Sequence, residues 1–231
     1  MNLPNAITVA RIAASPLIAL LPFQSGPGSR LAAFVLFIVA AVTDYWDGHL
    51  ARTRNLVTDL GRLLDPLADK LLLVATLVPM YVLMNGDALL LPLRSFAGMR
   101  PAFAFLTPIG FVTLPVWMVA VVIGREAFMT AFRQIAARRG LVIAAIGPAK
   151  WKTTFQWIWV GAAYFWFFAA TLAAQRGWEG AAGWRAWAYF NGAVGTLGMI
   201  GAVALTLWSL VLYLRRYGSV LVRPVRRDVA P

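Results

Sequence analysis

The sequence predicts an all-α, polytopic membrane protein with six transmembrane helices. Of its 231 residues, 61% are hydrophobic and only 13% are charged, and the mean hydropathy is +0.72. Soluble domains carry about a quarter charged residues. The apolar residues also fall in runs of roughly 18–25, the length of helix that crosses a bilayer core of about 30 Å. This composition excludes a soluble enzyme, a nucleic-acid-binding module and, with 0 cysteines, a disulfide scaffold.

Six apolar stretches are the predicted spans: residues 7–23, 31–51, 60–84, 112–132, 155–172 and 189–214. Breakers separate them, beginning with the Gly-Pro-Gly turn at residues 26–28. The connection at 85–106 carries two prolines, and the Gly- and Trp-rich connection at 175–187 is typical of an interfacial loop. We therefore predict one membrane domain over residues 1–214, followed by a basic cytoplasmic tail at 215–231.

Basic residues are distributed unevenly between the two sides of the predicted bundle. One side carries Arg52, Arg54, Arg62, Lys70, Arg133, Arg138, Arg139, Lys150, Lys152 and the tail arginines. The other side carries Arg30, Arg94, Arg100, Arg176 and Arg185. The positive-inside rule then predicts that both termini are cytoplasmic, in a multi-pass protein of the inner cell membrane. The net charge of +12 is accordingly interpreted as contact with anionic lipids, and no nucleic-acid partner is expected.

Acidic residues concentrate in one segment. Five of the nine acidic residues lie between Asp44 and Asp69. Asp44 and Asp47 are spaced i, i+3, and Asp65 and Asp69 are spaced i, i+4, so each pair projects from one face of its helix. Ionisable residues in membrane helices are costly and usually functional. Clustered carboxylates repel one another unless a cation joins them, and Mg²⁺ binds through carboxylates and substrate phosphates. The segment predicts a divalent-cation site; the alternative is an acidic loop neutralised by nearby arginines.

The same segment resembles the signature of the CDP-alcohol phosphatidyltransferase family. The match covers eight fixed positions over 26 residues: Asp44, Asp47, Gly48, Ala51, Arg52, Gly61, Asp65 and Asp69. The resemblance implies a six-helix membrane fold, usually a homodimer, with its active site at the cytoplasmic face. It also implies that an alcohol acceptor displaces CMP from a CDP-linked lipid or alcohol with the help of divalent metal.

The resemblance assigns expected roles to individual residues. Asp44, Asp47 and Asp65 are expected to ligate two ions of Mg²⁺ or Mn²⁺. Asp69 is expected to be the general base, close to the second ion. The residues expected to bind the CDP-lipid are Gly48, Ala51, Arg52, Thr58, Gly61, Asn5 and Thr8.

Two further stretches resemble the branch of this family that uses CDP-diacylglycerol and glycerol 3-phosphate. The opening Pro-Asn-x-x-Thr-x-x-Arg is one, although cardiolipin synthases share it, and the lysine run at residues 147–156 is the other. The residues expected to bind the acceptor phosphate are Arg125, Arg133, Lys150 and Lys152. The alternatives are an internal salt bridge between Arg125 and Glu126, and lipid contact for the other three.

Other functions remain open from the sequence. Within the family, the rivals are cardiolipin, phosphatidylinositol-phosphate and phosphatidylserine synthases. From another class, a divalent-cation transporter would use the aspartates as an intramembrane ion site. Against the transporter, the acids cluster at a predicted cytoplasmic helix end, and the sequence has no second acidic cluster to form an exit path.

Overall fold

The computed structural model describes residues 3–53, 59–85, 103–141, 143 and 148–218. Within these residues the long helices are α1 (Leu3–Leu20), α2 (Pro27–Thr53), α3 (Asp59–Asn85), α4 (Val116–Arg138), α5 (Pro148–Arg176) and α6 (Ala182–Tyr217). Two 3₁₀ turns, Leu21–Phe23 and Trp178–Gly180, and a hairpin of β1 (Phe105–Thr107) and β2 (Gly110–Val112) complete the elements. The all-α prediction is confirmed apart from this hairpin.

Five helices in the described part of the chain are long and apolar enough to cross a membrane. Their candidate spans are Asn5–Phe23, Pro27–Asp44, Leu64–Asn85, Trp151–Arg176 and Ala182–Tyr217. Helix α4 occupies the position of the predicted span at 112–132, but Arg125, Glu126 and Arg133 interrupt its apolar sequence. A multi-pass membrane protein is therefore supported, whereas a sixth span stays a prediction. Most of the predicted tail lies outside the described residues, and α6 itself continues to Tyr217.

The predicted start of the fourth helix at Val112 is wrong. Val112 belongs to β2 and pairs antiparallel with Phe105. Gly110 has φ +126°, a conformation that other residues rarely adopt, and Thr107 Oγ1 donates to its carbonyl at 2.6 Å. The turn chemistry thus overrides the apolar run, and α4 begins only after Pro115.

The predicted loop at residues 175–187 is also mostly wrong. Helix α5 runs to Arg176 and α6 begins at Ala182, so only one short turn separates them. The tryptophans of this stretch pack as helix residues, with the Trp184 ring 5.8 Å from the Trp166 ring. Aromatic packing between α5 and α6 therefore extends both helices beyond the boundaries predicted from glycine content.

A row of glycines lets α6 pack closely against its neighbours. A Cβ at Gly192 would overlap the backbone carbonyl of Leu106, and one at Gly195 would overlap the Phe105 ring. The β1 strand therefore lies directly on the glycine face of α6. Farther along, the backbone of Trp159 on α5 would lie 3.1 Å from a Cβ at Gly198.

Helix α5 also packs against α2 and contacts α3. Tyr164 on α5 is 1% exposed, and its hydroxyl donates to the Ala75 carbonyl on α3 at 3.1 Å. Near the start of α2, the buried Arg30 donates to the Pro22 carbonyl at 3.0 Å and contacts Thr171. These contacts hold α2, α3 and α5 side by side, which brings the acidic faces of α2 and α3 next to α5.

Candidate active site

The aspartates of α2 and α3 are organised by α1. Arg11 on α1 is buried, its Nη1 contacts the carboxylate of Asp44, and the same nitrogen lies 3.5 Å from Asp69 Oδ1. Thr8, also buried, donates from Oγ1 to Asp65 Oδ1 at 3.0 Å. A cation and a hydroxyl from one helix therefore contact three of the four predicted aspartates.

The spacing on α1 explains this arrangement. Asn5, Thr8 and Arg11 recur every three residues, so they share one face of the helix. All three are buried, at 5%, 1% and 3% exposure respectively. Polar residues at helical spacing in an apolar span are expected to face the bundle interior. Asn5 and Thr8 are among the predicted site residues; Arg11 is not, and its only signal in the sequence is the arginine that ends the opening Pro-Asn-x-x-Thr-x-x-Arg pattern.

A cavity of about 150 Å³ adjoins the aspartates. Its charged lining residues are Asp44, Asp69, Lys70, Glu126 and Lys152. The acidic residues of α2 and α3 and the basic end of α5 therefore face a common space. A ligand in this space can contact carboxylates and an ammonium group at the same time.

Glu126 joins two of the predicted phosphate-binding residues. Arg125 Nη1 donates to Glu126 Oε1 at 2.9 Å, and Lys152 Nζ contacts the same oxygen. Arg125 and Lys152 are both buried, at 6% exposure each. Arg125 also donates to Ser209 Oγ on α6 at 3.1 Å. The internal Arg125–Glu126 salt bridge is therefore present, and Lys152 extends it to the cavity.

Among the other predicted phosphate-binding residues, Arg133 is not one of those that line the cavity. It is exposed, and its guanidinium lies 5.9 Å from the centre of the Tyr213 ring. Arg125 lies 5.8 Å from the same ring. Tyr213 thus connects Arg133 to the cluster indirectly. Glu126 is a second cavity-lining residue that is not among the predicted site residues, because the sequence indicates it only as a salt-bridge partner of Arg125.

Several predicted site residues fall outside the described part of the structure. Helix α2 includes Asp47, Gly48, Ala51 and Arg52, and α5 includes Lys150, but their side chains are not among the described ones. Thr58 lies outside the described residues altogether. Gly61 lies in the first turn of α3 and is buried.

The aspartates have the donor chemistry that a hard divalent cation requires. No three His, Asp or Glu side chains among the described residues converge into a ready metal-binding group. Asp44 and Asp69 nevertheless share Arg11 Nη1 as a partner, so one guanidinium charge faces two carboxylates and a net negative charge is left between them. Carboxylate oxygens on adjoining helices are the ligands that Mg²⁺ uses together with substrate phosphates. The residues present therefore fit such an ion.

The fold and site define a helical membrane protein with one cavity that acidic and basic side chains line together. A model of the CDP-alcohol phosphatidyltransferase family matches residues 1–208, and the chain belongs to this family. The resemblance inferred from the aspartate signature is thereby confirmed.

Three curated relatives are informative. The chain is 40% identical over 173 residues to a CDP-diacylglycerol–glycerol-3-phosphate 3-phosphatidyltransferase of Bacillus subtilis, covering 70% of this chain and 75% of the relative. It is 41% identical over 110 residues to the enzyme of that name in Rickettsia bellii, covering 46% of this chain and 61% of the relative. It is 32% identical over 231 residues to a CMP-forming cardiolipin synthase of Oryza sativa, covering 96% of this chain and 59% of the relative.

Proposed function

We propose that the protein transfers the phosphatidyl group of CDP-diacylglycerol to glycerol 3-phosphate, giving phosphatidylglycerophosphate and CMP. The observation that carries this proposal is the shared cavity, which is lined by Asp44 and Asp69 and also by Lys152. Lipid donor and acceptor both carry phosphate, so the reaction needs cations next to carboxylates in one space. The names of the Bacillus and Rickettsia relatives support the same substrates.

The four aspartates have different roles in the proposed reaction. Asp44, Asp47 and Asp65, with Asp69 close by, hold two ions of Mg²⁺ or Mn²⁺ in this proposal. When bound, such ions stabilise negative charge on the attacking and leaving oxygens. Asp69 accepts the proton of the acceptor's primary hydroxyl as that oxygen attacks the β-phosphorus. The bond from this phosphorus to the CMP oxygen breaks, and CMP leaves with the electron pair.

Other residues position the donor and the carboxylates. Arg52 contacts the diphosphate. Gly48, Ala51 and Gly61 leave room for the cytidine half of the lipid, and Thr58 contacts it. Arg11 holds Asp44 and Asp69 in their relative positions, which is supported by its contacts to both. Thr8 fixes one oxygen of Asp65 through its hydrogen bond of 3.0 Å, leaving the second oxygen for a ligand.

The acceptor phosphate binds beside Lys152 in the cavity. Lys152 contacts the phosphate directly because it lines the cavity. Arg125 supports Lys152 through their shared oxygen of Glu126. Lys150 and Arg133 add positive charge at this end of α5 and α4. Charge-assisted contacts of this kind are the strong ones in phosphate recognition.

The membrane setting follows from charge distribution. We infer six spans with α4 as the sixth, both termini in the cytoplasm and the site at the cytoplasmic face of the inner membrane. The excess of basic residues on that side supports this orientation. A homodimer in contact with anionic lipids is part of the same proposal.

A CMP-forming cardiolipin synthase is the second candidate. The rice relative with that name aligns with 96% of this chain. Its reaction would use the same aspartates with a lipid alcohol as acceptor. The two candidate reactions differ in how much they depend on a buried lysine. A lysine stabilises the bound dianionic phosphate of glycerol 3-phosphate more than it stabilises the phosphodiester of a lipid acceptor.

The deciding experiment is an acceptor panel. Purified protein in lipid nanodiscs receives CDP-diacylglycerol, Mg²⁺ and one acceptor at a time, and CMP release is measured. We expect glycerol 3-phosphate to be used best. Preference for phosphatidylglycerol would establish the second candidate, and preference for inositol phosphate or serine would refute both. A cation transporter would bind divalent metal without any metal-dependent binding of CMP.

A further inference from the structure

Gln156 carries a buried amide nitrogen that has no hydrogen-bond partner among the described residues. It lies on α5 one helical turn beyond Lys152 and is 8% exposed. Its Nε2 is buried and has no hydrogen-bond partner in the described part of the chain. The large majority of buried polar side-chain atoms in proteins have a partner, because an unpaired buried donor is costly. Gln156 therefore requires an explanation beyond packing.

The surroundings of Gln156 point to a ligand as the missing partner. Gln156 lines the cavity that Asp44, Asp69 and Lys152 also line. Trp157 and Val160, also on α5, contribute apolar surface to that cavity. Gln156 is thus a neutral polar residue that lines the same cavity as two carboxylates and an ammonium group, next to space that a small molecule can fill.

The hydrogen-bonding groups of the amide indicate which part of the acceptor Gln156 can bind. A dianionic phosphate suits the ammonium of Lys152, and the attacking primary hydroxyl has to reach Asp69. An amide both donates and accepts hydrogen bonds, as a hydroxyl does. Glycerol 3-phosphate has one hydroxyl between its phosphate and its attacking hydroxyl, the one on C2.

We propose that Gln156 binds the C2 hydroxyl of the acceptor, with Nε2 donating to the hydroxyl oxygen, and that this contact contributes to acceptor specificity. The assignment rests on the proposed function and deepens it. A site built to hydrogen-bond a substrate hydroxyl disfavours analogues that lack it, because the protein group is then left unpaired. Gln156 therefore discriminates among phosphate-bearing alcohols that Lys152 alone accepts equally.

The test compares two acceptors and three proteins. 3-Hydroxypropyl phosphate keeps the phosphate and the primary hydroxyl of glycerol 3-phosphate but lacks the C2 hydroxyl. KM for each acceptor is measured by CMP release from CDP-diacylglycerol in nanodiscs. For the wild-type protein we expect KM for the analogue to be about 3- to 10-fold higher, the usual worth of one neutral hydrogen bond. Gln156→Met should raise KM for glycerol 3-phosphate by a similar factor and leave the analogue's KM unchanged.

Ile158→Val is the matched control, because Ile158 lies on the same helix but is 44% exposed on its outer face. It should alter neither KM. Equal KM values for the two acceptors in the wild-type protein would overturn the assignment without any variant, even if Gln156→Met does not fold. An equal rise for both acceptors in Gln156→Met would also overturn it, since that result indicates repacking or a displaced water. No CMP release with glycerol 3-phosphate at all would instead refute the proposed function.

Discussion

The guanidinium Nη1 of Arg11 lies 3.5 Å from the carboxylate of Asp69, although the two residues are on different helices. The same nitrogen contacts Asp44. Arg11 therefore joins α1 to an aspartate on α2 and an aspartate on α3. The acidic site is an arrangement of three helices, and its geometry depends on a residue outside the signature segment.

Replacing Arg11 tests this arrangement. Arg11→Met keeps the side-chain volume but leaves Asp44 and Asp69 without their shared cation, so the carboxylates repel. Their side chains are 33% and 62% exposed, which limits the loss. We expect destabilisation of about 1–2 kcal/mol, below the cost for a fully buried pair. Thermal unfolding in metal-free buffer measures it, with Arg185→Met at an exposed position as control. Equal melting temperatures for the two variants would contradict the role of Arg11.

Replacing Asp69 and replacing Asp44 are expected to impair the reaction in different ways. Asp69→Asn removes the proton acceptor, so kcat should fall by about 10²–10⁴-fold while binding of CDP-diacylglycerol changes little. Asp44→Asn removes a metal ligand and should nearly abolish turnover, as should a chelator. Kinetics and lipid-binding measurements on both variants separate the roles. If Asp69→Asn weakens lipid binding as much as it slows turnover, Asp69 acts chiefly as a ligand.

Glu126 is expected to control acceptor affinity without contacting the donor lipid. Glu126→Gln removes the carboxylate that Arg125 and Lys152 share, leaving two buried cations side by side. Lys152 then moves or loses its proton, since an unpaired buried charge is unfavourable. KM for glycerol 3-phosphate should rise about 10-fold, the effect of losing roughly 1.4 kcal/mol. Glu179→Gln at an exposed glutamate is the matched control. An unchanged KM in Glu126→Gln would exclude this role.

Lys152 is expected to dominate acceptor binding. Lys152→Ala removes one charge-assisted contact to the phosphate, worth about 1.5–3 kcal/mol, so KM for glycerol 3-phosphate should rise about 10- to 150-fold. KM for CDP-diacylglycerol should stay nearly the same. Arg133→Ala should have a smaller effect, because Arg133 is exposed and lies over Tyr213 rather than along the cavity. Equal effects of the two substitutions on KM for glycerol 3-phosphate would place the phosphate elsewhere.

Gly192 is expected to be essential for packing. A Cβ at this position overlaps the Leu106 carbonyl, whereas a Cβ at Gly183 on the same helix meets nothing within 4 Å. Gly192→Ala should therefore destabilise the protein by about 1–3 kcal/mol, as overpacking does. Gly183→Ala should be neutral or slightly stabilising, because alanine favours helix by about 1 kcal/mol over glycine. Thermal unfolding of the pair gives the comparison, and equal shifts would argue against the close approach of β1 to α6.

Sequence alone was sufficient for the membrane class and, through the spacing of the aspartates, for the family. Hydropathy is a property of each stretch, so most of the predicted spans coincide with helices, from α1 at Leu3–Leu20 to α6 at Ala182–Tyr217. The spacing of Asp65 and Asp69 likewise depends only on helical geometry. The hairpin at Phe105–Val112 was not predicted, because its apolar residues look like the start of a helix until the turn at Gly110 is known.

The partners of the aspartates and of Lys152 depended on the tertiary structure. Arg11 and Asp69 are 58 positions apart, and Lys152 and Glu126 are 26 positions apart. No local sequence pattern indicates which helices will pack against each other. That depends on tertiary contacts, such as the close packing at the glycines of α6 and the hydrogen bond from the Tyr164 hydroxyl to the Ala75 carbonyl. Helical periodicity tells which side chains share a face; only the packed bundle determines which faces share a cavity, and that is where Gln156 joins the site.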